Sequence, residues 1–540
     1  MWIDPIKLQN QNKLIHDYQT NQKDILDFFD YAPHNAESFS QRLAELKTRS
    51  FKREGLVQVL MEMNKEWDAS EATLANIKRL KDENSVVVIG GQQAGLLTGP
   101  LYTIHKVISI IHLARVQEKK LHVPVIPVFW IAGEDHDFAE INHVMMPLQG
   151  RMKKYRTLQR ADQKRAVSQL HLDKEKTKQW VQMVFGTLTE TEHTAELYSL
   201  CNQIIDQSET FVDFFAKLIF YLFEQEGLVL MDSNDSRVRK LESDYFLQMI
   251  KEQPNISGGV YQTLRQLQQR GYSVSVDAEE NDGHLFIQLN GERILLIRNG
   301  SDWVGKQGEC RYSQEEMLEI ARNTPELLSN NVVTRPLMQE LLFPSLAFLG
   351  GPGEVAYWSV LQNAFYTMDM KMPPVLTRLS FTLVDHKIRK LLDKHLVSAG
   401  DAVNNGVLHE KTNWLASQAS PPIEQVVDQV KLAFERNHAP LRQIAKDMRA
   451  DLGELAEKNL FHLFRELEFM EDRLTQAFEE KHQHVLEEFD SVNVALHPED
   501  GLQERMWNVI PYLNLFGKSF IQEILQQDFD YKQDHYLIYL

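Results

Sequence analysis

Five short apolar runs, each stopped by glycine, serine or acidic residues, set the plan of the chain: "VVVIGG" (86–91), "PVIPVFWIAGED" (124–135), "GLVLMDSND" (227–235), "SLAFLGGPGE" (345–354) and "PPVLTRLS" (373–380). Helical stretches separate them, notably at 101–118, 209–226 and 354–368. Strands apolar on both faces and alternating with helices indicate a parallel sheet covered on each side. The pattern predicts an α/β fold, a Rossmann-like doubly wound parallel sheet over residues 85–385. Before it, Phe28, Phe29, Leu43, Leu46, Leu56, Leu60 and Met63 recur at helical spacing, predicting a helical segment over 1–84 that packs on this core.

Two stretches break the alternation and read as insertions. Residues 150–205 begin basic, with "GRMKKYRTLQRADQKR", and turn helical; residues 270–310 carry "YSVSVDAEE", "GHLFIQL" and "RILLIRNG". Asn290-Gly291 between the last two is a hairpin signal, so this second insertion is expected to be antiparallel. Residues 386–540 read as a helical domain. Leu441, Ile444, Met448, Leu452, Leu455, Leu460, Leu463, Leu467, Met470, Leu474 and Phe478 fall at three- and four-residue steps, and no proline occurs from 441 to 497. One long coiled-coil arm over about 440–490 is expected, its stripe buried against another helix within the chain or across a dimer, with the C-terminus returning to the core.

Composition narrows the function. The 540 residues have room for two or three domains. With 58 Lys+Arg against 76 Asp+Glu, the net charge of −18 argues against a nucleic-acid partner and an anionic membrane surface. No window approaches the roughly 18 apolar residues of a membrane span, and "MWIDPIKLQN" lacks the basic-then-apolar order of a secretory leader. Cys201 and Cys310 are too few and too far apart for a disulfide framework or a zinc pair, and read as bystanders in a reducing cytoplasm.

Ligands of an open parallel sheet gather beyond the carboxyl ends of its strands, so those ends hold the candidates. After the first run, Gly91, Gln92, Gln93, Gly95 and Gly99, then Tyr102, His105 and Lys106 at the start of a helix, offer a phosphate-binding turn, although neither standard glycine motif is present. After the second come Trp130, Glu134, Asp135, His136 and Asp137, a cluster able to bind an amine or move a proton. If a helix starts there, His136, Glu140 and His143 share a face and form an alternative metal set. The third end supplies Asp232 and Asn234, and the approach to the fourth supplies Arg335 and Gln339, followed by Gly351, Gly353 and Glu354. Asp385, His386, Arg505 and Trp507 suggest a second nucleotide pocket.

The segments "GQQAGLLTGPLYTIHK", "PVFWIAGEDHDFAEINH", "TRPLMQELLFPSLAFLGGPGEVAYW", "TRLSFTL" and "ERMWNVIPYLN" resemble, in order and over essentially the whole chain, the cysteine-adding enzyme family of bacillithiol biosynthesis. The resemblance implies a ligase joining the carboxyl of cysteine to the amino group of glucosaminyl malate. It further implies a core akin to nucleotidyltransferases and class I aminoacyl-tRNA synthetases, two connecting insertions, a coiled coil and a homodimer. The H-I-G-H and K-M-S-K-S motifs of those synthetases are absent, and "TRLS", with Arg378, stands in the comparable place after the last strand. ATP is an expectation from chemistry, since a carboxylate acylates an amine only once its oxygen becomes a leaving group. Mg2+ is expected on the nucleotide, with no metal held tightly by protein ligands.

On that reading the Gly91–Gly99 loop holds phosphates, with His105 and Lys106 offsetting their charge. Asp135, His136 or Asp137 binds the ammonium of cysteine or takes the proton of the attacking amine, and Arg335, Gln339 and Gly351–Glu354 line the sugar–malate side. The alternatives are a metal-dependent amidase acting on a related thiol conjugate and a non-catalytic dimeric scaffold.

Overall fold

The computed structural model describes residues 1–9, 11–160, 165–419 and 421–540. The stretch 161–164, part of the basic start of the first expected insertion, lies outside the described residues. The chain forms two compact units, Met1–Leu148 with Met152–Leu383 and Gln503–Leu540, and Gln149–Arg151 with Val384–Leu502.

The first unit is built on the five expected strands: β1 (Val86–Gln92), β2 (Val125–Ile131), β3 (Val229–Asp232), β4 (Ser345–Gly350) and β5 (Val375–Thr377). They pair in parallel in the order β5-β4-β1-β2-β3, so the strand order reverses between β1 and β4. Every residue of β2, and β1 as far as Gly90, is buried, as the unbroken apolar runs require. Helix α1 (Tyr102–Leu121) follows β1, and the long α2 (Ser236–Gln269) follows β3. The short α3 (Thr334–Leu342) and α4 (Pro352–Trp358) flank β4.

Where β1 meets β2, Gly91 pairs with Trp130, and a Cβ on Gly91 would stand 2.4 Å from the Trp130 carbonyl oxygen. That approach excludes any side chain, so the glycine serves strand packing as well as the loop beyond it.

The second insertion is antiparallel as expected, with Asn290 and Gly291 both at positive φ (52° and 82°) in the turn between Asp282–Leu289 and Glu292–Asn299. It joins a five-stranded sheet completed by Asp302–Gly305, Arg311–Tyr312 and Leu328–Asn330, whereas "YSVSVDAEE" forms no strand. A two-stranded ribbon, His143–Leu148 with Arg151–Arg156, begins ahead of the expected start of the first insertion at 150 and precedes its helices. The N-terminal segment is helical from Lys13 onward, but Trp2–Ile6 is a strand paired antiparallel with His535–Tyr539. A partner at the opposite end of the sequence leaves no local signal.

The second unit is helical. Its arm is a pair of helices, α5 (Ile423–Met448) and α6 (Ala450–Leu496), where the sequence suggested one continuous helix. The chain turns at Arg449 (φ −168°, ψ 141°), and Arg442 and Lys446 pair across the turn with Glu457 at 2.9 and 2.8 Å. The apolar stripe therefore divides between two helices, and a turn without proline or glycine at its centre escaped the pattern.

Gly91→Ala is expected to lower unfolding stability by about 1–3 kcal/mol through the clash with Trp130. Gly258→Ala, inside α2 with nothing within 4 Å of the new methyl, is expected to raise it by about 0.5–1 kcal/mol. Denaturant melts of the two variants with opposite signs check this packing.

Candidate active site at the strand ends

The ends of β1, β2 and β4 and the residues after β5 enclose a cleft of about 420 Å³ at the point where the strand order reverses. Doubly wound sheets hold ligands at such a point. Three ionic groups shape its walls.

The first is centred on Lys106, which α1 buries to 1% exposure. Its ammonium donates to the Gly91 carbonyl at 2.6 Å, to Gln92 Oε1 at 3.1 Å and to the Glu354 carboxylate, engaging all three of its hydrogens. Burial lowers the Lys106 pKa, and Glu354 opposes that shift. Glu354 Oε2 also accepts from the Gly351 backbone N–H at 2.7 Å, satisfying the N-cap amide at the start of α4. Gln92 thus shares the anchoring of the lysine. Gln93 reaches Asp135 Oδ2 at 3.5 Å.

The second group is a chain of charges behind the cleft. Glu134 is fully buried; its carboxylate accepts from Arg239, from Arg335 Nε at 2.8 Å and from the Asn330 N–H at 3.3 Å. Burial alone would raise its pKa, but Arg239, Arg335 and Arg293 outweigh burial and hold it down at about 2. Arg335 continues to Asp135 Oδ1 at 2.6 Å, and Arg293 approaches the same oxygen at 3.5 Å. Arg239 also donates to buried Glu242 at 2.7 Å, whose carboxyl burial pushes up to about 7. The chain leaves Asp135 at the cleft with its orientation fixed.

The third group joins β5 to the C-terminal segment. Arg378 donates to both oxygens of buried Glu504, at 2.8 and 2.6 Å, and His105 Nδ1 lies 2.8 Å from Glu504 Oε2. Burial would raise the Glu504 pKa, but Arg378 and His105 hold it well below the usual range; burial in turn lowers that of His105.

The cleft brings together Gly91, Gln92, Gln93, Tyr102, Lys106, Trp130, Asp135, Arg335, Gln339, Gly351, Gly353 and Glu354 from the expected set. Others lie elsewhere. His105 is 1% exposed and is not among the residues lining the cleft. Gly95 and Gly99 pack against each other, and Asn508 Nδ2 binds the carbonyls of Leu97 and Gly99 at 2.8 and 2.6 Å, so their turn is tied to the C-terminal segment. Glu134 lies behind the wall as the anchor of Arg335.

Asp137 caps a single helical turn, Phe138–Ile141, and His136 stands beside Phe286 and Arg293. Because that helix ends at Ile141 and His143 begins a strand, the helical face required by His136, Glu140 and His143 does not form. No metal-binding group of three His, Cys, Asp or Glu residues occurs among the described residues. Asp232 and Asn234 form the turn after β3, outside the cleft, where burial pushes the Asp232 carboxyl up to about 7.

Asp385 caps the helix His386–His395 of the second unit, while Arg505 and Trp507 belong to the first, where Arg505 lines the principal cleft and the Trp507 carbonyl accepts from Leu101 N at 2.8 Å. The cleft also uses Glu140 and Arg378, which the sequence did not assign to the main site. Arg378 was visible in "TRLS" after a predicted strand; its pairing with Glu504, 126 residues later, was not.

Two family models divide the chain. Residues 1–379 match the N-terminal Rossmann-like domain of bacillithiol biosynthesis BshC, and residues 381–540 match its C-terminal coiled-coil domain. The chain belongs to the BshC family. A relative from Oceanobacillus iheyensis is 41% identical over 541 aligned positions, covering 99% of both chains. Relatives from Bacillus cereus and Bacillus thuringiensis are 40% identical over 530, covering 98% of both. All three carry the name "Putative cysteine ligase BshC". The BshC match agrees with the Rossmann-like sheet and the helical arm, and no helix among the described residues is long and apolar enough to cross a membrane.

Replacing Glu134 by Gln strands Arg239 and Arg335 beside a neutral amide and is expected to cost about 3–5 kcal/mol at neutral pH. Its folded pKa is depressed from 4.5 to about 2, so the carboxylate's contribution is present above 4.5 and lost as the pH falls through about 2. Melts of the two proteins should therefore converge across that window, and a gap independent of pH contradicts the assignment.

Proposed function

We propose that the cleft is the site of an ATP-dependent ligase that joins the carboxyl of cysteine to the amino group of glucosaminyl malate, forming bacillithiol. The observation that carries the reading is the mixed lining at the strand-order reversal, where Arg335, Arg378 and Arg505 share one cleft with Asp135, Glu140 and Glu354. Such a surface suits reactants that carry both anionic groups and amines, and the name of the relatives supports cysteine as the acid.

In the proposed reaction a carboxylate oxygen of cysteine attacks the α-phosphorus of ATP and pyrophosphate leaves, giving an acyl-adenylate. The glucosamine nitrogen then attacks the carbonyl carbon, AMP departs with the bonding electron pair, and the nitrogen loses its proton. Asp135, held by Arg335, is the proposed partner of the cysteine ammonium. Glu140, which forms no ion pair among the described residues, is the proposed acceptor of the proton. Mg2+ is proposed to enter on the phosphates of ATP, which the arginines suit. Lys106 is already committed to Glu354, Gln92 and the Gly91 carbonyl, so its proposed part is to hold the cleft wall.

The arm supports a dimer. Leu441, Ile444, Met448 and Leu455 are 54–73% exposed and line an apolar groove of about 540 Å³ between α5 and α6. A second copy of this chain is the proposed cover.

Purified protein given cysteine, glucosaminyl malate and Mg-ATP is expected to form bacillithiol with one nucleotide consumed per amide; product without nucleotide consumption contradicts activation, and no product contradicts the ligase reading. In sedimentation the protein is expected to run as a dimer, and Leu441→Asp with Met448→Asp as a monomer with its core unit intact by circular dichroism.

A further inference from the structure

The cationic end of the cleft has donors left over once its internal pairs are counted. Arg378 is 8% exposed, and both of its terminal nitrogens are committed, Nη1 to Glu504 and the Leu379 carbonyl at 2.8 and 3.0 Å, and Nη2 to Glu504 at 2.6 Å. Its Nε–H has no hydrogen-bond partner among the described residues. This nitrogen stands beside Gly351, whose Cβ, if present, would lie 4.0 Å from it. Arg505 follows Glu504 in the short helix Gln503–Met506, is exposed, lines the same cleft and forms no ion pair among the described residues. Glu504 balances Arg378 and leaves the charge of Arg505 uncompensated.

We propose that Arg378 Nε–H and the Arg505 guanidinium form an anion subsite in the cleft, with Glu504 as the positioning residue that turns Nε toward it. A guanidinium fixed by two bonds to one carboxylate presents its remaining donor in a set direction, which suits the oxygens of a phosphate or a carboxylate. Besides the carboxyl of cysteine, which reacts, two of the three reactants proposed above carry such a group, ATP its phosphates and glucosaminyl malate its two carboxylates. A Cβ on Gly351 would lie 3.5 Å from Glu354 Oε2 as well as 4.0 Å from Nε, so the approach to Nε runs beside a carboxylate that Lys106 already neutralises. The inference rests on the ligase reading for these two ligands, but binding tests it separately from turnover.

Titration calorimetry of the full-length protein with Mg-ATP and with glucosaminyl malate, each alone, makes the test. Arg505→Gln, at an exposed position, is expected to weaken one of the two ligands about tenfold and spare the other. Arg378→Lys, which keeps charge but loses Nε, and Glu504→Gln are expected to weaken that same ligand. The ligand affected identifies the source of the anion. A loss spread equally over both ligands in Glu504→Gln marks a structural role and overturns the positioning claim. Unchanged affinity for both ligands in Arg505→Gln overturns the subsite, as does wild-type protein that binds neither, and if the other two variants fail to fold, Arg505→Gln alone decides. Wild-type protein that binds both and makes no amide refutes the ligase reading while leaving the subsite standing.

Discussion

A carboxylate with no access to water has to be neutralised by what surrounds it, and in this chain that constraint fixes the floor of the cleft. Glu134 follows a strand buried at every position, so it leaves the sheet into protein and draws in Arg239 from α2 and Arg335 from α3. Removing water from both signs of charge is costly unless geometry and further hydrogen bonds compensate. The compensation here ties four separated stretches of chain to one point, since Arg293 of the antiparallel insertion also faces this cluster through Asp135. Arg335 is thereby rigid, and Asp135 with it.

The other two ionic groups follow the same logic. Lys106 and Glu504 are both buried ions whose partners line the cleft, Glu354 in one case and Arg378 in the other. Each buried ion stabilises the conformation of a side chain that lines the cleft. This division of labour accounts for the placement of His105, Lys106 and Glu134 among the supports, despite their position at the strand ends where the sequence suggested chemistry.

The parallel core was legible because its strands are apolar on both faces and end in glycine or acid, which is a local property. The cleft was legible to the extent that it lies at strand ends: Gln92, Asp135 and Glu354 line it there, with Arg335 on the helix that leads into the fourth strand. What failed depended on distance or on loop geometry. Gly95 and Gly99 fall outside the lining of the cleft, in a turn whose carbonyls bind Asn508 from the far end of the chain, and Trp2–Ile6 is a strand only because the C-terminus returns to it. The division of the arm at Arg449 and the one-turn helix after Asp137 were missed for the same reason, since neither carries a strong breaker.

In the proposed reaction a carboxyl group is activated before an amine attacks it. Cysteine labelled with 18O in both carboxylate oxygens, given with glucosaminyl malate and Mg-ATP, follows that oxygen through the reaction. Mass spectrometry of the products is predicted to find one label in the phosphate of AMP and one in the new amide. Label released to water, with none in AMP or phosphate, would contradict the account.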